Sequence, residues 1–282
     1  METIKEISKA RTLTTQWRNC GLSVGFVPTM GYLHKGHLSL KERSVSENDK
    51  TIVSIFLNPT QFGPAEDLDA YPKDLRADLA MCEGAGADLV FCPSVDDMYK
   101  AGSHTFVEVG GSLTAGLCGA SRPDLFRGVA TVVTKLFNIT RPSRAYFGQK
   151  DAQQLAVIKR MTRDLDMDIE IVSCPTVREP DGLAKSSRNS YLTPEQRAAA
   201  RVVSQAVFEG ERLVSAGERN PAAVIAAMGE IIAREPLAKI DYIEIVDART
   251  MEKLERIDGH VLGALAVFVG NTRLIDNFIL EV

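Results

Sequence analysis

The sequence predicts an α/β fold, a parallel sheet covered by helices on both faces, followed by a smaller α+β domain. Three observations carry that expectation. Short β-branched or apolar runs alternate with helix-patterned segments through the first two-thirds of the chain. Several of those runs, Ala87 to Cys92 among them, are apolar without interruption, as strands buried on both faces are. From about Arg188 the pattern changes to long helices and then to antiparallel-type strands.

Taken in order, Thr3 to Asn19 reads as a helix, Ser23 to Pro28 as a strand and His37 to Asn48 as a helix. Lys50 to Leu57 is a strand, and Asp69 to Gly84 a helix entered through Tyr71-Pro72. After the Ala87 strand come an apolar helix, Arg127 to Asn138, and a short strand, Ser143 to Phe147. Asp151 to Leu165 is a helix and Asp168 to Cys174 a strand. The domain boundary is expected in the polar segment Thr176 to Ser190, giving domains 1–176 and 177–282. Beyond it, Thr193-Pro194-Glu195-Gln196 supplies an N-cap, a first-turn proline and a capping-box partner for one long helix to about Ala216. A second helix spans Pro221 to Arg234. Strands follow at Lys239 to Val246, His260 to Val269 and Thr272 to Leu280, the last two joined by Gly270-Asn271. There are no internal repeats and no low-complexity tracts.

At 282 residues the chain fits one large domain or two ordinary ones. Its 45% apolar and 25% charged residues are ordinary for a globular protein. A net charge of −4 and a pI near 5.7 give no general attraction to nucleic acid or anionic membranes, so neither is expected as a partner. Any anion site is therefore built locally. Apolar stretches such as Val261 to Val269 fall far short of a membrane span, and no signal peptide is visible. The five cysteines are scattered without a Cys-x-x-Cys, which fits reduced thiols rather than a disulfide framework or zinc site. A cytoplasmic location is the expectation, and no protein metal ligands are assigned.

Ligands of such sheets bind beyond the carboxyl ends of the strands, near the switch point of strand order. The informative segments fall there. Pro28-Thr29-Met30-Gly31-Tyr32-Leu33-His34-Lys35-Gly36-His37 follows a strand and opens a helix. Backbone N–H groups and the positive dipole end point at whatever sits at such a junction, and two imidazoles add donors. The combination suits a polyphosphate under attack at its α-phosphorus; a helix start with surface histidines is the plain alternative. In Asn58-Pro59-Thr60-Gln61-Phe62 the Asn-Pro pair breaks a strand, and Gln61 suits hydroxyls and a carboxylate, or the segment is an ordinary turn. In Gly148-Gln149-Lys150-Asp151 through Gln154, Lys150 can reach phosphate and Asp151 can bind a ribose hydroxyl, or merely cap the helix beside a surface lysine. Asp181 to Asn189 places Lys185, Ser186, Ser187 and Arg188 together as a flexible, donor-rich grip for phosphates, although plain surface loops also carry such residues. Arg122 to Val129 is a basic, glycine-bearing turn into an apolar helix. There is no Gly-x-x-x-x-Gly-Lys-Ser/Thr, and no Gly-x-Gly-x-x-Gly follows the first strand.

His-x-Gly-His early and Lys-Ser-Ser-Arg about 150 residues later resemble the nucleotidyltransferase superfamily. Together with Asn58 to Phe62, Phe126-Arg127-Gly128-Val129, Phe147 to Asp151 with Gln153-Gln154, and Ser186 to Asn189, in that order, they resemble the pantoate–β-alanine ligase family over nearly the whole chain. Gln149 and Ala152 stand where many members carry an acidic residue and an aromatic, and Lys185 where methionine is common, which makes the loop more cationic.

The resemblance implies a Rossmann-like nucleotidyltransferase domain with a C-terminal α+β lid, homodimeric in most members. It implies adenylation of pantoate by ATP with Mg²⁺, then attack by β-alanine. It assigns His34 and His37 to the triphosphate, with His37 the proton donor. Met30, Gly36, Gly148, Gln149, Lys150, Asp151, Val177, Lys185, Ser186, Ser187 and Arg188 would bind ATP, Asp151 at the ribose and Val177 near the base. Pro28, Thr29, Met30, Gln61 and Gln154 would hold pantoate. Another adenylating or cytidylyl-transferring enzyme would share the histidines without the two glutamines, and a non-catalytic nucleotide- or RNA-binding module would release no AMP.

Overall fold

The apolar runs of the first two-thirds become adjacent parallel strands. In the computed structural model, which describes residues 1–64 and 66–282, they are β1 (Glu2–Ile4), β2 (Val24–Thr29), β3 (Lys50–Ile55), β4 (Leu89–Phe91), β5 (Arg144–Gly148) and β6 (Glu170–Cys174). They form one sheet in the order β1-β4-β3-β2-β5-β6, parallel throughout. Val24, Phe26, Val27, Ile52, Leu89, Val90, Phe91 and Tyr146 are buried on it, which is why these strands show no polar alternation. β2 pairs with β3 on one side and β5 on the other, so strand order reverses there. The chain leaves the carboxyl ends of β2 and β5 through Thr29-Met30-Gly31 and Gly148-Gln149. These are the places at which such a sheet holds ligands.

The remaining sheet is antiparallel, β7 (Ala238–Asp247), β8 (His260–Val269) and β9 (Thr272–Glu281) in that order. Helices Arg201–Ser215 and Pro221–Ala233 share a core with it, through Val203, Val207, Met228, Ile232, Ile245, Leu265 and Phe278. The chain divides into two compact units. One comprises 1–109, 124–149 and 157–175; the other comprises 110–123, 150–156 and 176–282.

Three expectations need correction. Thr3 lies in β1, an edge strand paired with Leu89–Phe91, and the helix begins only at Ile7. Three residues are too few to show a period of two against an amphipathic helix that follows at once. The Asp69 to Gly84 segment is helical only over Leu75–Gly84. Pro72 biases the residue before it toward extended backbone, and Asp74 supplies the true N-cap, accepting the Ala77 N–H at 3.0 Å. The long helix to Ala216 is two, Pro194–Ala199 and Arg201–Ser215, separated by Ala200 at helical angles.

One buried cation joins two of these helices. Lys41, on helix Lys35–Glu47, is 2% exposed. Its Nζ donates at 2.8 Å to the carbonyls of both Met81 and Cys82. Those carbonyls belong to the last turn of Leu75–Gly84, where the helix has no internal donors for them and its dipole end is negative. Burial lowers the Lys41 pKa below its ordinary value. Lys41→Met keeps the stem and removes both hydrogen bonds. It is expected to cost about 1–3 kcal/mol, read as a lower urea midpoint at unchanged slope.

Candidate active site

The histidine motif is set by the turn before it. Thr29 Oγ1 donates to the Ser54 carbonyl at 2.7 Å, holding the end of β2 to β3. Gly31 then takes φ +85° and Tyr32 φ +52°, a left-handed pair in which only the glycine is unstrained. Asp78, 2% exposed on helix Leu75–Gly84, accepts the N–H groups of Tyr32 and Leu33 at 2.8 and 2.7 Å. Burial raises the Asp78 pKa, and those two N–H groups oppose the rise.

The next residue, His34, caps helix Lys35–Glu47 in extended conformation. Its Nδ1 accepts the Gly36 N–H at 3.1 Å, and His37 Nδ1 accepts the His34 N–H at 3.2 Å. The pair forms a capping box built from imidazoles, with ring centroids 4.0 Å apart. Because both Nδ1 atoms act as acceptors, the proton of each neutral ring sits on Nε2. The cap therefore makes both Nε2 atoms donors at a helix N-terminus, an arrangement suited to an anion.

A second cluster gathers around Asn58, which is 1% exposed. Its Oδ1 accepts from the Tyr99 hydroxyl at 2.8 Å and the Thr60 hydroxyl at 3.0 Å. Its Nδ2 donates to Gln61 Oε1 at 3.0 Å and to the Gly128 carbonyl at 3.2 Å. With its oxygen fixed this way, Gln61 turns Nε2 to Met30 Sδ at 3.0 Å. Two residues singled out in separate motifs thus meet at the carboxyl end of β2. The glycine of Phe126-Arg127-Gly128-Val129 has its reason here. Helix Leu125–Thr140 passes so close that a Cβ on Gly128 would overlap the Thr60 carbonyl. The neighbouring Arg127 pairs with Asp124 at 2.8 Å and stacks over Phe106.

At the end of β5, a Cβ on Gly148 would meet no atom within 4 Å among the described residues, leaving room against the backbone. A 3₁₀ turn, Gln149–Asp151, leads into helix Ala152–Asp164. The Lys150 side chain is only 19% exposed, with Nζ 3.9 Å from Asp151 Oδ2, so it is not a surface lysine. The carbonyl of Lys150 accepts Asn277 Nδ2 at 2.9 Å. Gln154 is half-buried on the first turn of the helix. The buried Gln153 has a structural task, binding the Cys118 N–H and the Leu113 and Gly116 carbonyls, each at 2.9 Å.

The Lys-Ser-Ser-Arg segment is braced, contrary to its expected flexibility. Val177 to Lys185 is a tight hairpin, with the Lys185 N–H on the Val177 carbonyl at 2.9 Å and the Glu179 N–H on the Leu183 carbonyl at 2.8 Å. Ser186 caps a 3₁₀ helix, Ser187–Tyr191, by accepting the Arg188 N–H at 3.3 Å. Asn189 Nδ2 returns to the Ala184 carbonyl at 3.1 Å. The Lys185 ammonium lies 2.6 Å from Glu179 Oε1. Such bonds run largely through the backbone and leave no mark in the sequence. Asp78 and Asn277 were likewise not singled out from the sequence, since a carboxylate in a helix pattern or an amide in a strand pattern reads as surface.

No three His, Cys, Asp or Glu side chains form a metal-binding group among the described residues. Burial pushes the Cys82 and Cys92 thiols up to about 11, which makes poor nucleophiles of them. No helix is long and apolar enough to cross a membrane among the described residues.

A family model for pantoate-beta-alanine ligase matches residues 2–279. The pantothenate synthetase of Moorella thermoacetica is 58% identical over 282 residues, covering 100% of this chain and 99% of that one. The pantothenate synthetase of Carboxydothermus hydrogenoformans is 54% identical, covering 100% of both. Among solved structures, pantothenate synthetase from Thermus thermophilus superposes with a TM-score of 0.92 at 45% identity, over 99% of each chain. Pantoate-beta-alanine ligase from Francisella tularensis, complexed with beta-gamma ATP and beta-alanine, gives 0.82 at 34% identity, over 99% of this chain and 97% of that one. The α/β fold with its parallel sheet is the one the sequence predicts, and the chain belongs to the pantoate–β-alanine ligase family.

Proposed function

We propose that this protein condenses (R)-pantoate with β-alanine using ATP, through a pantoyl adenylate, releasing AMP and pyrophosphate. The observation that carries the reading is the junction after β2. One turn sets two imidazole Nε2 donors at a helix N-terminus and Met30 against Gln61. In the first step a pantoate carboxylate oxygen bonds to the α-phosphorus as the bond to pyrophosphate breaks. Negative charge grows on the α-phosphate oxygens and the leaving group, where preorganised donors lower the barrier. His37 and His34 donate there through Nε2, and Gly36, whose N–H is held by His34 Nδ1, keeps the turn between them close to the phosphates.

Lys150, Ser186, Ser187 and Arg188 hold phosphate oxygens, and Lys185 joins them only by leaving Glu179. Asp151 and the backbone of Gly148 and Gln149 take the ribose, and Val177 the base. Gln61 and Gln154 hold pantoate, with Met30 and the Pro28-Thr29 backbone beside it. In the second step the neutral amine of β-alanine attacks the adenylate carbonyl and AMP departs. Mg²⁺ bound with ATP would neutralise charge on the departing pyrophosphate, beside the phosphate contacts of Lys150, Ser186, Ser187 and Arg188. The family resemblance supports a homodimer with residues 177–282 acting as a lid. Five free cysteines fit a reducing, cytoplasmic setting.

AMP is expected to form in step with pantothenate only when ATP, pantoate and β-alanine are all present; AMP formed without pantoate would refute the assignment. His37→Ala should slow pantoate-dependent ATP–pyrophosphate exchange by about 10²-fold or more, and an unchanged rate removes His37 from the first step. Gly128→Ala drives a methyl into the Thr60 carbonyl and so displaces Gln61. Its KM for pantoate should rise about tenfold while KM for ATP stays constant, as steady-state kinetics would show.

A further inference from the structure

Strand β9 carries an acid where its pattern calls for an apolar residue. Leu274, Asp276 and Phe278 alternate onto one face of the strand, and both apolar neighbours are buried. Asp276 is 1% exposed. A carboxylate in such a row is costly unless it is fully partnered. It is bound bidentately by Arg178, at 2.6 Å from Nη1 to Oδ2 and 3.0 Å from Nη2 to Oδ1, and it accepts the Asn277 N–H at 2.8 Å. Arg178 does not stop there. Its Nη1 also donates to the Gly182 carbonyl at 3.1 Å, and its guanidinium lies 4.9 Å from the Phe208 ring centroid. Arg178 bridges to Ala184 across the hairpin that ends at Lys185 and Ser186. The next residue of β9, Asn277, points to the opposite face, where its Nδ2 donates to the Lys150 carbonyl at 2.9 Å. Two adjacent residues of one strand therefore reach the two segments of this unit whose side chains the proposed function assigns to phosphate.

We propose that Asp276 and Asn277 are positioning residues for ATP, Asp276 fixing, through Arg178, the Val177–Lys185 hairpin that leads into Ser186–Arg188, and Asn277 fixing Lys150 through its carbonyl. This rests on the reading that Lys150 and Arg188 bind ATP. Neither residue of β9 touches the nucleotide; each holds the backbone from which a contact is made.

The test is steady-state kinetics of the full-length enzyme, with KM for ATP and pantoate measured separately. Asp276→Asn keeps the shape and removes the charge, and Asn277→Ala removes the hydrogen bond to the Lys150 carbonyl. Each is expected to raise KM for ATP about tenfold and to leave KM for pantoate within about twofold. Coupling gives the readout that a purely structural role would not move. Asn277→Ala should add little to Lys150→Ala but retain its full effect on Arg188→Ala, and Asp276→Asn should show the reverse. Equal losses for both substrates, or full additivity in every pair, would overturn the proposal. If Lys150→Ala and Arg188→Ala themselves leave KM for ATP unchanged, the assignment of ATP to those residues fails instead, and positioning for ATP fails with it. Should Asp276→Asn not fold, Asn277→Ala and its two pairs decide the matter alone.

Discussion

A buried carboxylate holds the turn on which the histidine pair is built. Asp78 takes the N–H groups of Tyr32 and Leu33, and with Gly31 and Tyr32 both at positive φ that turn has little reason to keep its shape unaided. The tie is reciprocated. Lys41, on the helix that His34 caps, reaches back to the carboxyl end of the helix that carries Asp78. One helix thus lends an anion to the loop before its neighbour and receives a cation from that neighbour's interior. Both charges are buried, and both are satisfied by backbone groups rather than by each other. A hydrogen bond to a charged group contributes about 1.5–3 kcal/mol, and four of them offset two desolvation costs that would otherwise forbid the arrangement.

The chemistry follows from that geometry. A capping box normally uses a hydroxyl and a carboxylate, which leaves nothing to offer a ligand. Here both members are imidazoles, and each has a second nitrogen. Engaging Nδ1 in the cap fixes the ring plane and the tautomer together, so the donor at Nε2 is set before any substrate arrives. Pre-aimed donors of this kind cost no reorganisation when charge develops. The Met30–Gln61 contact extends the principle sideways, since Asn58 fixes the amide oxygen and so turns the amide nitrogen toward Met30 Sδ.

The parallel sheet was legible because strands buried on both faces must be continuously apolar, and Val24 to Val27, Ile52 and Val53, and Leu89 to Phe91 are. The His34–His37 segment was legible because a strand, a glycine turn and a helix start leave distinct signatures in few residues. Edge strand β1 was not, being too short for any period to show. The order of the hairpin before Ser186 was hidden for another reason: its bonds join backbone groups, which every residue carries. Asp78 and Asp276 escaped notice because a lone acid in a helix or strand pattern reads as solvent-facing. Only the partners, Tyr32 and Leu33 in one case and Arg178 in the other, reveal that it is not. The inclusion of 110–123 and 150–156 in the second unit depends on contacts such as Cys118 with Tyr242 and Lys150 with Asn277, which no local pattern announces.

Partners of this kind also change the charge that the hairpin presents. Read as letters, Arg178, Lys185, Arg188 and Arg197 make a cationic patch. In the structure Arg178 is matched by Asp276, Lys185 by Glu179 and Arg197 by Asp181, at 2.6, 2.6 and 2.7 Å. The Arg197 guanidinium holds the Asp181 carboxyl below its ordinary pKa, as a matched pair requires. Beyond a few ångströms each pair acts as a dipole whose field falls off faster than that of a free charge. The lysine at 185 therefore adds little long-range attraction, in keeping with a chain of net charge −4. Under the proposed function, recognition of phosphate by this segment rests on aim at short range, as in the Ser186 hydroxyl that caps the 3₁₀ helix, and aim is what a braced hairpin supplies.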